Sequence, residues 1–330
     1  MKVSILLLFS TILLVSCGGN KNEAAYAELL AQPPYAAITD SIGREPDRDD
    51  LYFRRAVLLN RNNLPEPALA DFRKAWSINA EEPYAIGVGN ILLEKRPDSA
   101  TAFLQQAIRD LPQSIFLRIL LARSYDAQKE TDKAILVCEE ILHTDPNQLN
   151  TLALKAELLE KKNDAPGTIA ALEKVHQLVP SNIQLANKLM YQYAETKNPK
   201  ALTLADTMLL RDSMKVSADP LYVKGLYYVN TGDNANALRF FDQTIQRSHR
   251  YLNAYIEKGK IFFNQKKIPE ALKTFQLAIT VDAAFADAWY WIGRCQELQG
   301  QKADAKLSYE KAFSLDKTFV EAKEAMEKVR

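Results

Sequence analysis

Residues 286–319 read ADAWYWIGRCQELQGQKADAKLSYEKAFSLDKTF, and their meaning lies in what stands before them. At an interval of 34, Trp289 follows Tyr255, Gly293 follows Gly259 and Gly225, and Ala305 follows Ala271 and Ala237. Tyr309 follows Phe275 and Phe241, and Ala312 follows Ala278, at the same interval. A fixed period of this length marks an array of short supersecondary units stacked on one another rather than one globular core.

The pattern, an aromatic residue, an apolar–Gly pair, then Ala, an aromatic and Ala at set offsets, resembles the tetratricopeptide repeat. That resemblance implies an all-α, right-handed superhelical solenoid in which each repeat is two antiparallel helices, A and B. The residue types have a physical reason. A small residue at the eighth position (Ala56, Ala122, Ala156, Gly225, Gly259, Gly293) lets helix A approach helix B. Ala at the twentieth (Ala68, Ala134, Ala237, Ala271, Ala305) does the same from helix B. A large side chain at either place overpacks the contact. The bulky residue one turn later (Phe72, Leu172, Phe241, Phe275, Tyr309) fills the space between the helices. Pro146 and Pro180 follow B helices, where a residue without an N–H ends the run.

Carried backward, the register predicts eight repeats over residues 49–319, divided as 49–82, 83–114, 115–148, 149–182, 183–217, 218–251, 252–285 and 286–319. The second and fifth depart from it. Glu94-Lys95-Arg96-Pro97 and Asn198-Pro199 each shorten the turn between helices, and the fifth has Met190 and Met208 where small residues are expected. A distortion, a bend or a division into two sub-arrays is expected there. Residues 34–48 are read as an N-terminal capping helix and 320–330, VEAKEAMEKVR, as a charged amphipathic C-terminal cap, which a solenoid needs to stay soluble.

The first sixteen residues read as an address. Lys2 precedes an apolar run from Val3 to Val15, shorter than the ~20 residues that span a bilayer and of the length of a secretory leader. Leu14-Val15-Ser16-Cys17 resembles the bacterial lipobox. The resemblance implies cleavage before Cys17, a diacylglyceryl group on its thiol and acylation of the new amine. Two or more acyl chains anchor a protein stably where one does not. The competing reading is an ordinary leader with Cys17 incidental. Gly18 after the Cys, by the same resemblance, favours the outer membrane. The lack of an acidic cluster after it favours the periplasmic face over the cell surface. Residues 17–33 are then the lipidated Cys and a tether, flexible at Gly18-Gly19-Asn20-Lys21-Asn22.

Composition narrows the function. Without the leader, whose one charge is Lys2, the chain holds 41 basic and 41 acidic residues, so no general basic field invites nucleic acid. No phosphate loop, metalloprotease helix or nucleophile elbow is present, and no cofactor is expected. The three His (His143, His176, His249) fall near B-helix ends, where a partly positive imidazole suits the dipole, and no metal-ligand set accompanies them. Cys138 and Cys295 read as small buried thiols. No catalytic constellation emerges and an enzyme is disfavoured.

In this family the A helices line a concave face. The register places Tyr222, Leu226 and Asn230 of the sixth repeat there, with Asn253, Ile256, Lys260, Phe263 and Asn264 of the seventh. Asp287, Tyr290, Arg294 and Glu297 of the eighth join them. The partner-binding set expected from these is Tyr222, Asn253, Ile256, Lys260, Phe263, Asn264, Tyr290 and Arg294, as a groove for a peptide or extended segment. The alternative is that these side chains pack on each other with no ligand. The Lys–Asn set of the clamp that grips chain-terminal carboxylates does not recur. The function expected is a membrane-anchored scaffold recruiting envelope proteins. The alternative is a glycan- or ligand-capturing subunit of an uptake system, against which stands the lack of large loop insertions. Oligomeric state is left open.

Overall fold

The computed structural model describes residues 21–329. The expected leader, Cys17 and the start of the tether lie outside the described residues. Every regular element among the described residues is an α-helix, as the repeat reading requires, and there are nineteen, one more than eight pairs and two caps. The described residues divide into two compact units, with the boundary between Ile141 and Leu142.

The first unit holds α1 (Lys21–Leu30), α2 (Ala36–Arg44), α3 (Asp49–Arg61), α4 (Pro65–Ile78), α5 (Glu82–Lys95), α6 (Pro97–Asp110), α7 (Ile115–Ala127) and most of α8 (Thr131–Thr144). The segment expected as a tether is helical from Lys21 to Leu30, and Leu29 and Leu30 pack on the core. Its Ala, Glu and Leu residues favour a helix over coil. α2 is held by the buried Tyr35, whose hydroxyl accepts from Asn62 Nδ2 at 2.7 Å. Arg55 adds a buried bidentate pair. Its Nε and Nη2 reach Asp71 at 2.7 and 2.8 Å, and its Nη1 donates to Thr39 Oγ1 at 3.0 Å, joining α2, α3 and α4.

The second unit runs through α9 (Leu149–Lys161), α10 (Ala165–Leu178), α11 (Ile183–Glu195), α12 (Lys200–Arg211), α13 (Asp219–Thr231), α14 (Asn234–Arg247), α15 (Leu252–Asn264), α16 (Ile268–Val281), α17 (Ala286–Leu298), α18 (Lys302–Leu315) and α19 (Val320–Lys328). Gln148, Asp164, Asn182 and Asp233 cap helix starts by accepting a backbone N–H three residues on. α19 lies on α18, burying Ala322 and bringing Val329 beside Tyr309.

The small residues do what their spacing implies. A Cβ placed on Gly225, Gly259 or Gly293 would sit 2.4, 2.3 or 2.7 Å from the ring of Phe241, Phe275 or Tyr309 in the same repeat. The glycines are recesses for those rings. Turns inside repeats carry one left-handed residue: Asn63, Lys129, Asn163, Lys197, Gly232, Lys266 or Gly300, with φ between 57° and 84°. The second repeat has none. Arg96 both ends α5 and precedes α6, whose first residue is Pro97. The fifth repeat keeps Lys197 and instead lengthens its exit, with residues 212–218 between α12 and α13.

Candidate protein-binding face

The expected partner-binding residues sit on α13, α15 and α17, but not all are exposed. Tyr222, Ile256 and Phe263 are buried, at 7%, 5% and 8% exposure, which corrects their reading as open groove positions. Each is large enough to reach a neighbouring helix. Tyr222 packs its ring 4.9 to 6.1 Å from those of Tyr251, Phe241 and Tyr191. Phe263 meets Trp291 edge-on at 5.4 Å. They form a floor. Lys260, Tyr290 and Arg294 are half-buried above it, while Asn253 and Asn264 are exposed.

A polar ladder crosses the floor at one end. Asn187 Nδ2 donates to Asp219 Oδ2 at 3.1 Å, and Tyr251 Oη donates to Asp219 Oδ1 at 2.8 Å. Tyr191 and Tyr251 share a hydrogen bond at 2.9 Å. Burial, then the bonds to Tyr191 and Asp219, push the Tyr251 phenol far above its usual range, so it stays a donor. Asn230, read as open, donates to the Ala194 carbonyl at 3.1 Å and ties α13 to α11.

The other end is cationic. Lys260 Nζ pairs with Glu257 Oε1 at 2.7 Å and lies 5.7 Å from the Trp291 ring. The Arg294 guanidinium lies 5.6 to 5.9 Å from the rings of Phe263, Tyr290 and Trp291, and its Nη1 donates to Tyr290 Oη at 3.1 Å. Such stacking holds a cation in place without neutralising it. Glu297 accepts the Tyr309 hydroxyl at 2.7 Å, and Phe319, leading into α19, packs 5.0 Å from Tyr290.

Sequence reasoning missed Trp291, Tyr251, Asp219 and Glu257. Trp291 had a signal, being the third aromatic residue of WYW in the stretch that set the register. Asp219 and Tyr251 had none: they stand at opposite ends of the sixth repeat, and no position of the repeat pattern couples them. Also missed was a cavity of about 710 Å³ beside the long exit of the fifth repeat, lined by Ile183, Met208, Met214, Val216, Pro180 and Pro220.

His176 corrects another expectation. Burial, then the nearby Arg211, lowers its pKa, and Nδ1 is buried without a hydrogen bond, so its surroundings work against the positive form that would serve the helix dipole. His249 lies beyond the end of α14, where its carbonyl accepts from Tyr255 Oη at 3.2 Å. Cys138 and Cys295 are buried, as their reading as small buried thiols requires, and burial pushes the Cys295 thiol up to about 12. Among the described residues no three His, Cys, Asp or Glu gather as a metal site, and no helix is long and apolar enough to cross a membrane.

Helix pairs stacked in this way define a repeat-type architecture. Family profiles described as tetratricopeptide repeat match residues 92–158, 222–284 and 286–319, and the chain carries tetratricopeptide repeats there. Proteins built on these repeats generally mediate protein–protein interactions. A tetratricopeptide repeat protein from Parabacteroides merdae ATCC 43184 has a similar fold, with a TM-score of 0.58 at 18% identity, over 74% of this chain and 96% of that one. Superkiller complex protein 3 of Mus musculus is 24% identical over 71% of this chain and 14% of its own length. Tetratricopeptide repeat protein 21B of Homo sapiens is 26% identical over 64% of this chain and 19% of its own length. The chain thus spans less than a fifth of either relative. A shorter match, 29% identical over 37% of this chain, joins it to 14% of the human Protein O-mannosyl-transferase TMTC3.

Proposed function

We propose that this protein is a membrane-anchored scaffold of a bacterial envelope, holding partner proteins by extended segments laid on the A-helix face of α13, α15 and α17. The observation that carries the reading is the set of half-buried Lys260, Tyr290 and Arg294 above the packed floor of Tyr222, Ile256 and Phe263. A rigid aromatic base with charged groups at its edge is the composition of binding hot spots. The anchor rests on Leu14-Val15-Ser16-Cys17. Lipidation at Cys17 would confine the scaffold to a surface and raise its effective concentration for partners there. The periplasmic side of the outer membrane is the location that best fits the residues after Cys17.

The test is capture of partners from detergent-solubilised envelopes with the wild-type chain and with Tyr290→Ala/Arg294→Ala. We expect a stoichiometric envelope protein, lost in the double variant while its helical circular dichroism is unchanged. Equal capture by both would move the site off this face.

A further inference from the structure

The cations of α13 and α15 are nearly all spoken for. Lys224 pairs with Asp206 at 2.6 Å, Lys258 with Asp242 at 2.5 Å and Lys260 with Glu257 at 2.7 Å. Arg294 on α17 differs. Among the described residues no carboxylate forms an ion pair with it, and Glu297, one turn on, already accepts from Tyr309. Of the five N–H donors on a guanidinium, one side-chain bond is made, to Tyr290 Oη.

Three rings lie within 6 Å of this cation, and the bond to Tyr290 orients it. What remains is the edge of a planar fork, whose geometry matches a carboxylate bidentately. Glu297 acts on this half-buried charge only through space, so the edge of the fork stays open to a bidentate carboxylate, which gains more here than on an open lysine. The chain is close to neutral, so this attraction is local and acts as a specificity element rather than a steering field.

We propose that Arg294 receives an Asp or Glu side chain from an extended, acidic segment of a partner protein, with a neighbouring apolar side chain on Tyr290 and Trp291. This rests on the reading of the face above. A side chain is favoured over a chain end because Lys260, the second cation nearby, is already held by Glu257. One unpaired cation is thus offered, not a set.

Random octapeptides fused by their C termini to a phage coat protein, and so lacking a free end, are selected on the full chain. Asp or Glu should dominate one position. That preference should vanish with Arg294→Gln and turn to Lys or Arg with Arg294→Glu. Selected peptides, made with amidated ends, should bind Arg294→Gln at least tenfold more weakly and Arg294→Lys at an intermediate level. They should also shift the Trp291 indole resonance. Peptides that shift Trp291 without acidic preference, or that need a free terminal carboxylate, would overturn the Arg294 assignment and leave the binding face standing. Selection of no peptide, or only of peptides that leave Trp291 unmoved, would overturn both.

Discussion

Met190 and Ala205 hold, in the fifth repeat, the places that Gly225 and Phe241 hold in the sixth, with the sizes exchanged. Both are fully buried in one cluster with Ala201 and Ala194. The large residue has moved from helix B to helix A, and the volume between the helices is retained. The departure at Met190 is therefore a repacking, and the irregularity of this repeat lies at its exit, where Met208 lines the cavity before α13.

This exchange predicts non-additivity. Met190→Gly should cost about 2–5 kcal/mol through the cavity it opens, and Ala205→Phe about 1–3 kcal/mol through overpacking. Together they rebuild the arrangement of the sixth repeat, and the pair should cost less than the sum. Urea denaturation of the three variants checks it; strict additivity would mean the two positions do not share one space.

Glycine positions should respond in opposite directions. A Cβ on Gly259 meets the Phe275 ring at 2.3 Å, so Gly259→Ala should destabilise by about 1–3 kcal/mol despite its better helix propensity. A Cβ on Gly43, in α2, meets nothing, and Gly43→Ala should stabilise by up to about 1 kcal/mol. Thermal melts of both variants read the sign directly.

Removing one partner of the Arg55–Asp71 pair leaves a buried charge. Asp71→Leu alone should cost about 3–5 kcal/mol, whereas Arg55→Met with Asp71→Leu should recover much of that. Hydrogen exchange of α2 and α3 amides localises the loss, because Arg55 also holds Thr39. Equal protection in all variants would show that the pair does not hold α2.

Cys295 gives stability a dependence on pH. Its thiol ionises at about 12 when folded, against about 8.5 in an unfolded chain. The folded state keeps a proton that the unfolded chain releases. The contribution is complete below about 8.5 and is lost as pH rises from there toward 12. Cys295→Ala should flatten that part of the decline in urea midpoint between pH 8 and 10.5. An unchanged slope would assign the decline to the buried tyrosines.

The same chemistry tests the anchor. With Cys138 and Cys295 buried, the native chain should react slowly with a thiol reagent, and in denaturant it should titrate two thiols if Cys17 is lipidated and three if it is not. Cys17→Ser should leave the membrane fraction or stall as precursor. Mature Cys17→Ser protein in that fraction would remove the lipid assignment.

The sequence alone determined the helix pairs, because nesting two helices demands a small residue opposite a large one and the chain repeats that demand at a fixed interval. Gly259 with Phe275 and Gly293 with Tyr309 were readable as pairs before any coordinate. The tertiary structure decided which face residues are free. Tyr222, Ile256 and Phe263 occupy register positions read as open, yet they are buried, Tyr222 among Tyr191, Phe241 and Tyr251 and Phe263 against Trp291. How far each repeat turns against its neighbour sets that burial, and no spacing within one repeat encodes it. The same inter-repeat geometry places Phe263 of the seventh repeat beside Trp291 and Arg294 of the eighth, and Tyr191 of the fifth beside Tyr251 of the sixth, contacts that no interval of 34 could announce.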